Sequence, residues 1–262
     1  MPEENQEKIK ETVKDQFARN AEKYVTSETH AKGDDLALMV EWMQPKGDWT
    51  VLDIATGGGH VTKHLSPHVA HIFATDLTRE MLATAQRHLS RTCENVWYMV
   101  ADAEELPFLD QTFDVVTCRI AAHHFPKPSK FVQEAARVLK PGGKFLLIDN
   151  VVPDDDQLDV FVNKLEYLRD NSHVRCHRMK EWKAWATDSG FETVNSRLRK
   201  KTFDFPTWVR RTTQSEEQVE LVEQHILQSD QKMQLYCGLI IKDGQISTIH
   251  IDEWMVLFTK PC

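Results

Sequence analysis

A short apolar run that ends in an acid and passes straight into three glycines constrains this chain more than any other feature. Thr50-Val51-Leu52-Asp53-Ile54-Ala55 leads into Thr56-Gly57-Gly58-Gly59-His60. A turn without side chains between a strand and a helix start lets the backbone approach a ligand closely. Asp76 ends the next apolar run and Asp102 the one after it. Three carboxylates thus stand at successive strand ends, the edge at which open α/β sheets bind ligands.

From Thr50 to Asn150 short apolar runs alternate with stretches of helical spacing, the rhythm of a doubly wound sheet. Strands are predicted at Val51–Ala55, His71–Thr75, Val96–Val100, Asp114–Cys118 and Lys144–Asp149. Their near-continuous apolar character fits a sheet covered by helices on both faces. Helices are predicted near His60–Leu65, Arg79–Leu89 and Ser129–Leu139, the second with Thr78 as N-cap. Lys140-Pro141-Gly142-Gly143 stops the last of these. The flanks read differently. Residues 1–45 carry two helical apolar stripes, one on Val13, Phe17 and Ala21, the other on Leu36, Met39, Val40 and Met43. Beyond Pro153 helices are expected at Leu158–Arg169 and Lys180–Ser189, with a strand starting at Phe191–Val194. The segment Phe205–Gln231 reads as helical, a hairpin turns at Asp243-Gly244, and Trp254–Thr259 reads as a final strand. The expectation is one α/β domain over residues 1–262. It comprises an N-terminal helical lid (1–45), a cofactor-binding core (46–150), and cap insertions with the C-terminal strands (151–262). Its sheet is doubly wound, mostly parallel and seven-stranded, a Rossmann-like fold with helical cap additions.

The ligand follows from the same residues. Amides where the first helix begins can hold an anionic group. Asp76 is placed to accept both hydroxyls of a ribose, and Asp102 to accept from an adenine amine. A nucleoside ligand that also carries a positive charge suits three carboxylates, so S-adenosylmethionine (SAM) fits better than NAD or ATP. The NAD fingerprint counted from Gly57 requires glycine at position 62, where the chain has Thr62, and no Gly-Lys-Ser/Thr follows to make a P-loop.

With these motifs the chain resembles class I SAM-dependent methyltransferases. It is most similar to the small-molecule branch typified by the ubiquinone/menaquinone-biosynthesis C-methyltransferases (the UbiE type). The likeness rests on residues 51–59, Asp76-Leu77-Thr78-Arg79-Glu80-Met81-Leu82, Ala101-Asp102-Ala103-Glu104-Glu105-Leu106-Pro107-Phe108, Phe113–Arg119 and Leu139–Gly143. It covers residues 12–150 well and the remainder loosely. It implies that Asp53, Ala55, Thr56, Gly57 and Gly59 line the methionine end of SAM and Asp76 the ribose. Leu77 and Met81 would pack near ribose and adenine, Asp102 and Ala103 would hold adenine, and Arg119 would lie beside the methionine moiety. S-adenosylhomocysteine (SAH) would be the product. Ala55 departs from the family, which usually has glycine there, and the added methyl predicts a small shift in cofactor fit.

Methyl transfer from a sulfonium requires an in-line nucleophile, exclusion of water and, for an acceptor of high pKa, a base. His123 and His124, just past the fourth strand, are the candidates, against a structural role for one of the pair. The segment Phe17–Tyr24 resembles the family's lid, which would turn Tyr24, Ser27 and His30 toward the site; the alternative is a helix that only packs on the sheet. His60, His64 and His68 lack an acid or cysteine to complete a metal shell, so no metal is expected. The basic run Arg197, Arg199, Lys200, Lys201, with Arg210 and Arg211 nearby, reads as a solvated face or a contact for an anionic acceptor. Trp182, Trp185, Phe203, Phe205 and Trp208 read as core and cap packing, some of them walls of an acceptor pocket.

Bulk properties narrow the partners. A net charge of −8 argues against a general phosphate-backbone binder. The chain also has Cys118-Arg119-Ile120-Ala121 where DNA amino-methyltransferases usually carry Asn/Asp-Pro-Pro-Tyr. No apolar run approaches the length of a membrane span, and residues 1–11 lack a signal-peptide core. Five scattered cysteines without a Cys-x-x-Cys pair fit reduced thiols in a cytoplasmic protein. The expected activity is SAM-dependent methylation of a small molecule. The alternatives are a nucleic-acid methyltransferase and a SAM-binding module without transfer.

Overall fold

The computed structural model describes residues 3–25 and 33–262. The chain opens with α1 (Glu3–Val25) and α2 (Asp34–Met43). The apolar stripe of α2 is buried through Leu36, Met39 and Met43. The α/β core follows: β1 (Thr50–Ile54), α3 (His60–Leu65), β2 (His71–Asp76), α4 (Arg79–Leu89), β3 (Val96–Val100), β4 (Phe113–Arg119), α5 (Pro128–Val138) and β5 (Leu139–Asn150). The remainder comprises α6 (Asp156–Arg169), α7 (Met179–Asp188), β6 (Glu192–Asp204), α8 (Phe205–Val209), α9 (Glu216–Leu227), α10 (Gln231–Tyr236), β7 (Ile240–Lys242) and β8 (Gln245–Thr259).

The sheet order is β3-β2-β1-β4-β5-β8-β6, with the short β7 pairing β8, so eight strands are found among the described residues where seven are predicted. Strands β1 to β5 are parallel, and β8 runs antiparallel to both β5 and β6. The order reverses between β1 and β4, which opens a crevice beyond their carboxyl ends.

Two elements are longer than the sequence pattern predicts. The hairpin strand and the final strand merge into one fifteen-residue β8, because Ile251, Trp254, Val256 and Phe258 continue burying side chains without a break. The strand predicted to begin near Phe191 runs through the basic run to Asp204, pairing Arg199 with Glu253 and Lys201 with Ile251. The helix N-caps are partly as expected. Asp155 accepts from the amides of Gln157 and Leu158 to start α6. Thr78 precedes α4, but its hydroxyl makes no capping bond and its amide donates to Asp76 instead.

Three apolar clusters fill the molecule. One lies between the sheet and α5 and α7, around Phe113, Phe131, Phe145 and Trp182. Another is formed on α2 and the opposite sheet face by Met39, Met43, Ile72 and Leu146. The third knits the cap through Phe161, Phe205, Trp208, Val222 and Ile249. The predicted packing role of Trp182, Phe203, Phe205 and Trp208 is thereby observed.

Candidate active site

The carboxyl edge of β1, β2 and β4 forms the floor of a cleft of about 1020 Å³, partly open to solvent. Asp53, at the end of β1, is fully enclosed. Its Oδ2 accepts from the hydroxyls of Thr56 (2.6 Å) and Thr62 (2.8 Å), and its Oδ1 from Thr117 (2.8 Å). Burial nevertheless pushes the Asp53 carboxyl above its ordinary range, the three hydroxyl donors pulling the other way. Asp76, at the end of β2, accepts from the amides of Gly57 (3.1 Å) and Thr78 (2.9 Å), and burial raises its carboxyl to about 6. Gly57 sits at φ +55°, a conformation glycine adopts without steric cost. Asp102 follows β3. Its Oδ1 accepts from the Glu104 amide (2.9 Å) and its Oδ2 from Lys10 Nζ (2.6 Å) of α1.

The cleft takes in nearly every residue expected to hold a cofactor: Asp53, Ala55, Thr56, Gly57, Asp76, Leu77, Met81, Asp102, Ala103 and Arg119. Gly59 is not on the lining. It lies under the turn at φ +78°, where an added Cβ would meet Leu89 Cδ1 at 2.6 Å, so its role is the seating of α3 on α4. Arg119, at the end of β4, donates through Nε to Asp35 of α2. The face of α1 bearing Lys10, Val13 and Phe17 closes the cleft from above, consistent with a lid. Ser27 and His30 lie outside the described residues, as does the side chain of Tyr24.

His123 and His124 occupy a 3-10 turn after β4. Asp149 of β5 holds His123 twice, its Oδ2 accepting from the backbone amide (2.9 Å) and its Oδ1 from Nδ1 (2.6 Å). His124 Nδ1 donates to the Ser172 carbonyl (2.9 Å). These bonds occupy both Nδ1 atoms, and neither Nε2 has a hydrogen-bond partner among the described residues. The two rings are pushed in opposite directions. Burial lowers His124 to about 4, helped by neighbouring His123. Burial also opposes charge on His123, but Asp149 outweighs it and raises that imidazole.

A second chamber, about 550 Å³, adjoins the cleft. Phe17, Ile120 and His124 line both spaces and separate them. Beyond them lie His123, Asn150, Arg169, Asp170, Lys201, Phe203, Trp208 and Arg211. Among the described residues, no group of three His, Cys, Asp or Glu side chains is arranged to hold a metal ion. His64 Nδ1 is taken up by the His60 carbonyl (2.9 Å).

Comparison with known proteins decides the family. Residues 52–147 match a methyltransferase domain. YcgJ of Bacillus subtilis, named as an uncharacterized methyltransferase, is 36% identical over 231 residues, 87% of this chain and 91% of YcgJ. The chain belongs to the class I SAM-dependent methyltransferases. The YcgJ crystal structure superposes on this methyltransferase with a TM-score of 0.82, covering 87% of this chain and 98% of that one at 32% identity. A Bacillus halodurans protein with a provisional methyltransferase name superposes with a TM-score of 0.85, at 38% identity and covering 88% and 100% of the two chains. The UbiE enzyme of Brucella abortus is 36% identical over 118 residues, only 42% of this methyltransferase and 44% of UbiE. The likeness to the quinone-pathway type is therefore confined to the shared core.

Several groups on these linings escape a reading by motif. Lys10 is three and seven residues from Val13 and Phe17, a helical spacing that marks it as facing the same way. Asp149, which lies behind the lining and holds His123, comes at the end of a strand as the three cofactor-side acids do. His60 and Glu104 ride in with the glycine turn and with Asp102, whereas Arg169 and Asp170 carry no such signal, because the packing of distant segments brings them in.

Proposed function

We propose that this methyltransferase transfers the methyl group of SAM to a small-molecule acceptor held in the second chamber. The observation that carries the reading is the pair of adjoining spaces. One is floored by three carboxylates and a glycine turn, the other is lined by His123, which Asp149 holds from behind, and they meet at His124. The donor set fits SAM. Thr78 Oγ1, on the cleft wall, is buried with no hydrogen-bond partner, a cost a ligand hydroxyl would relieve. When bound, SAM supplies an electrophilic methyl on a sulfonium.

The residues act by holding and positioning. Asp76 accepts the ribose hydroxyls and Asp102 the adenine amine. Leu77, Met81 and Ala103 pack against the nucleoside, and Asp53, Ala55, Thr56, Gly57 and Arg119 line its methionine end. Phe17 and α1 exclude water. His123, its Nδ1–H oriented by Asp149, accepts the acceptor's proton at Nε2, as a histidine fixed in one tautomer by a carboxylate does. His124, kept neutral, shapes the passage between the two spaces. The net charge of −8 supports a small acceptor over a nucleic acid. Cys93, Cys118, Cys176 and Cys237, all buried and unpaired, support a reducing compartment, the cytoplasm. We read residues 1–262 as a single domain, since β8 contributes side chains to all three apolar clusters.

Titration calorimetry with SAM and SAH tests the cofactor half. Binding of both is expected, with Asp76→Lys abolishing it; no heat with either ligand would end the reading. Methyl-labelled SAM with panels of phenols, quinols and amines tests transfer. Turnover that survives unchanged in both His123→Ala and His124→Ala would remove the histidines from the mechanism.

A further inference from the structure

The wall of the second chamber is cationic in a way the chemistry above does not use. Lys201 reaches it from β6, Arg169 from the last turn of α6, and Arg211 from the loop after α8. Among the described residues Asp170 brings the single carboxylate of that lining, and its Oδ1 is engaged by the Ser172 amide (2.9 Å) and hydroxyl (2.6 Å). The carboxylates that hold the cations stand behind the wall. Lys201 Nζ lies 2.9 Å from Glu253, whose side chain is 1% exposed, and Arg169 Nη2 lies 2.7 Å from Glu166, 2% exposed. Arg169 also donates to Thr212 Oγ1 (2.8 Å) and stacks over the Trp208 ring at 4.3 Å.

The heads of Lys201 and Arg169 therefore line the chamber, while Glu253 and Glu166, absent from its lining, stand behind them. The two heads are fixed in place before any ligand arrives, so binding does not have to order them. Phe203 and Trp208 add apolar surface to the same lining. An exposed lysine–carboxylate contact contributes little. An anion here would make charge-assisted bonds from more than one element at once.

We propose that the second chamber selects a small acceptor carrying a carboxylate or phosphate group, which docks on Lys201, Arg169 and Arg211 with its nucleophile turned toward His124. The inference rests on the methyl-transfer reading and adds the class of acceptor. Among the described residues the lining offers apolar side chains only at Phe17, Ile120, Phe203 and Trp208, too little for a long hydrocarbon tail. A polyprenyl quinol is thereby disfavoured in spite of the shared core.

The test uses the full chain saturated with SAH, titrated by calorimetry with benzoate, with its uncharged twin benzamide, and with inorganic phosphate. At least one anion should bind at least tenfold tighter than benzamide, and added salt should weaken it. Lys201→Gln should remove most of that preference and Lys201→Arg should keep it, with SAH affinity within twofold in both variants. Benzoate alone would mark a carboxylate acceptor, phosphate alone a phosphorylated one. The proposal is overturned if benzamide binds as tightly as the anions, if neither anion binds at millimolar concentration, or if Lys201→Gln changes nothing. Loss of SAH binding in the parent protein would instead indict the methyl-transfer reading beneath it.

Discussion

Two side chains at the mouth of the cleft sit in a backbone region that usually belongs to glycine. Ala55 has φ +52° and Ile120 φ +53°, each just past the end of a neighbouring strand. A Cβ in the left-handed region costs roughly 1–2 kcal/mol, and such strain persists where the surroundings over-determine it, commonly at functional sites. The sequence marks Ala55 as the departure from a family glycine, and the geometry supplies the reason the substitution matters. Ala55→Gly is expected to stabilise the protein by about 0.5–1 kcal/mol, the relieved strain exceeding the entropy gained by the unfolded chain. A lowered urea midpoint would contradict this. Asp76 sets a second expectation. Its carboxyl, raised to about 6 by burial, would accept the hydroxyls of a bound ribose much more strongly when ionised. Below that value the proton competes with the ligand, so SAH affinity should fall by up to about tenfold per pH unit and be level above pH 7. Asp76→Asn should bind weakly and without this slope. Equal affinity of the parent protein at pH 5 and pH 8 would remove Asp76 from the ribose site.

At the scale of elements, α1 is fastened to the cleft by charge. Lys10 contacts Asp102 at 2.6 Å and Glu104 at 2.7 Å, and the Glu104 side chain is only 3% exposed. Burial alone would lower the Lys10 ammonium, but bonds to the two carboxylates raise it, so the contact stabilises the closed helix up to and beyond neutral pH. Lys10→Met should free α1 by about 1.4 kcal/mol, read as roughly tenfold faster amide exchange over Glu3–Val25 with β1 and β4 unchanged. Unaltered exchange would show that apolar packing alone retains the helix. The cofactor side of the cleft was legible from the chain because each of its acids ends a strand next to a recognisable turn. The acceptor side was less so. Lys201 is visible as part of a basic run, yet nothing local says that it faces inward; that is fixed by the register of β6 against β8, which sets it opposite Ile251.

In the whole molecule, the parallel core followed from its apolar runs, and helices α3 and α4 fall where the spacing places them. The merged β8 did not follow, since an alternating hairpin arm and a buried strand look like separate segments until both are paired with β6. Phe145 sits where sheet, α5 and the C-terminal strands converge, with ring centroids 5.7 Å from Phe131, 5.4 Å from Phe191 and 5.8 Å from Phe258. Phe145→Ala should cost about 3–5 kcal/mol in chemical unfolding, lost in one cooperative transition if the core and cap unfold together. Two separated transitions would divide the chain in two.

Strand β8 also limits how the enzyme can breathe. Its first half anchors Ile246, Ile249 and Ile251 in the cap, and its second half threads Trp254, Val256 and Phe258 through the central layer. A roof built on the same beam as the floor cannot swing away from it. Substrate traffic would thereby be left to the N-terminal side, with α1, tied down through Lys10, Gln16 and Glu22, as the door.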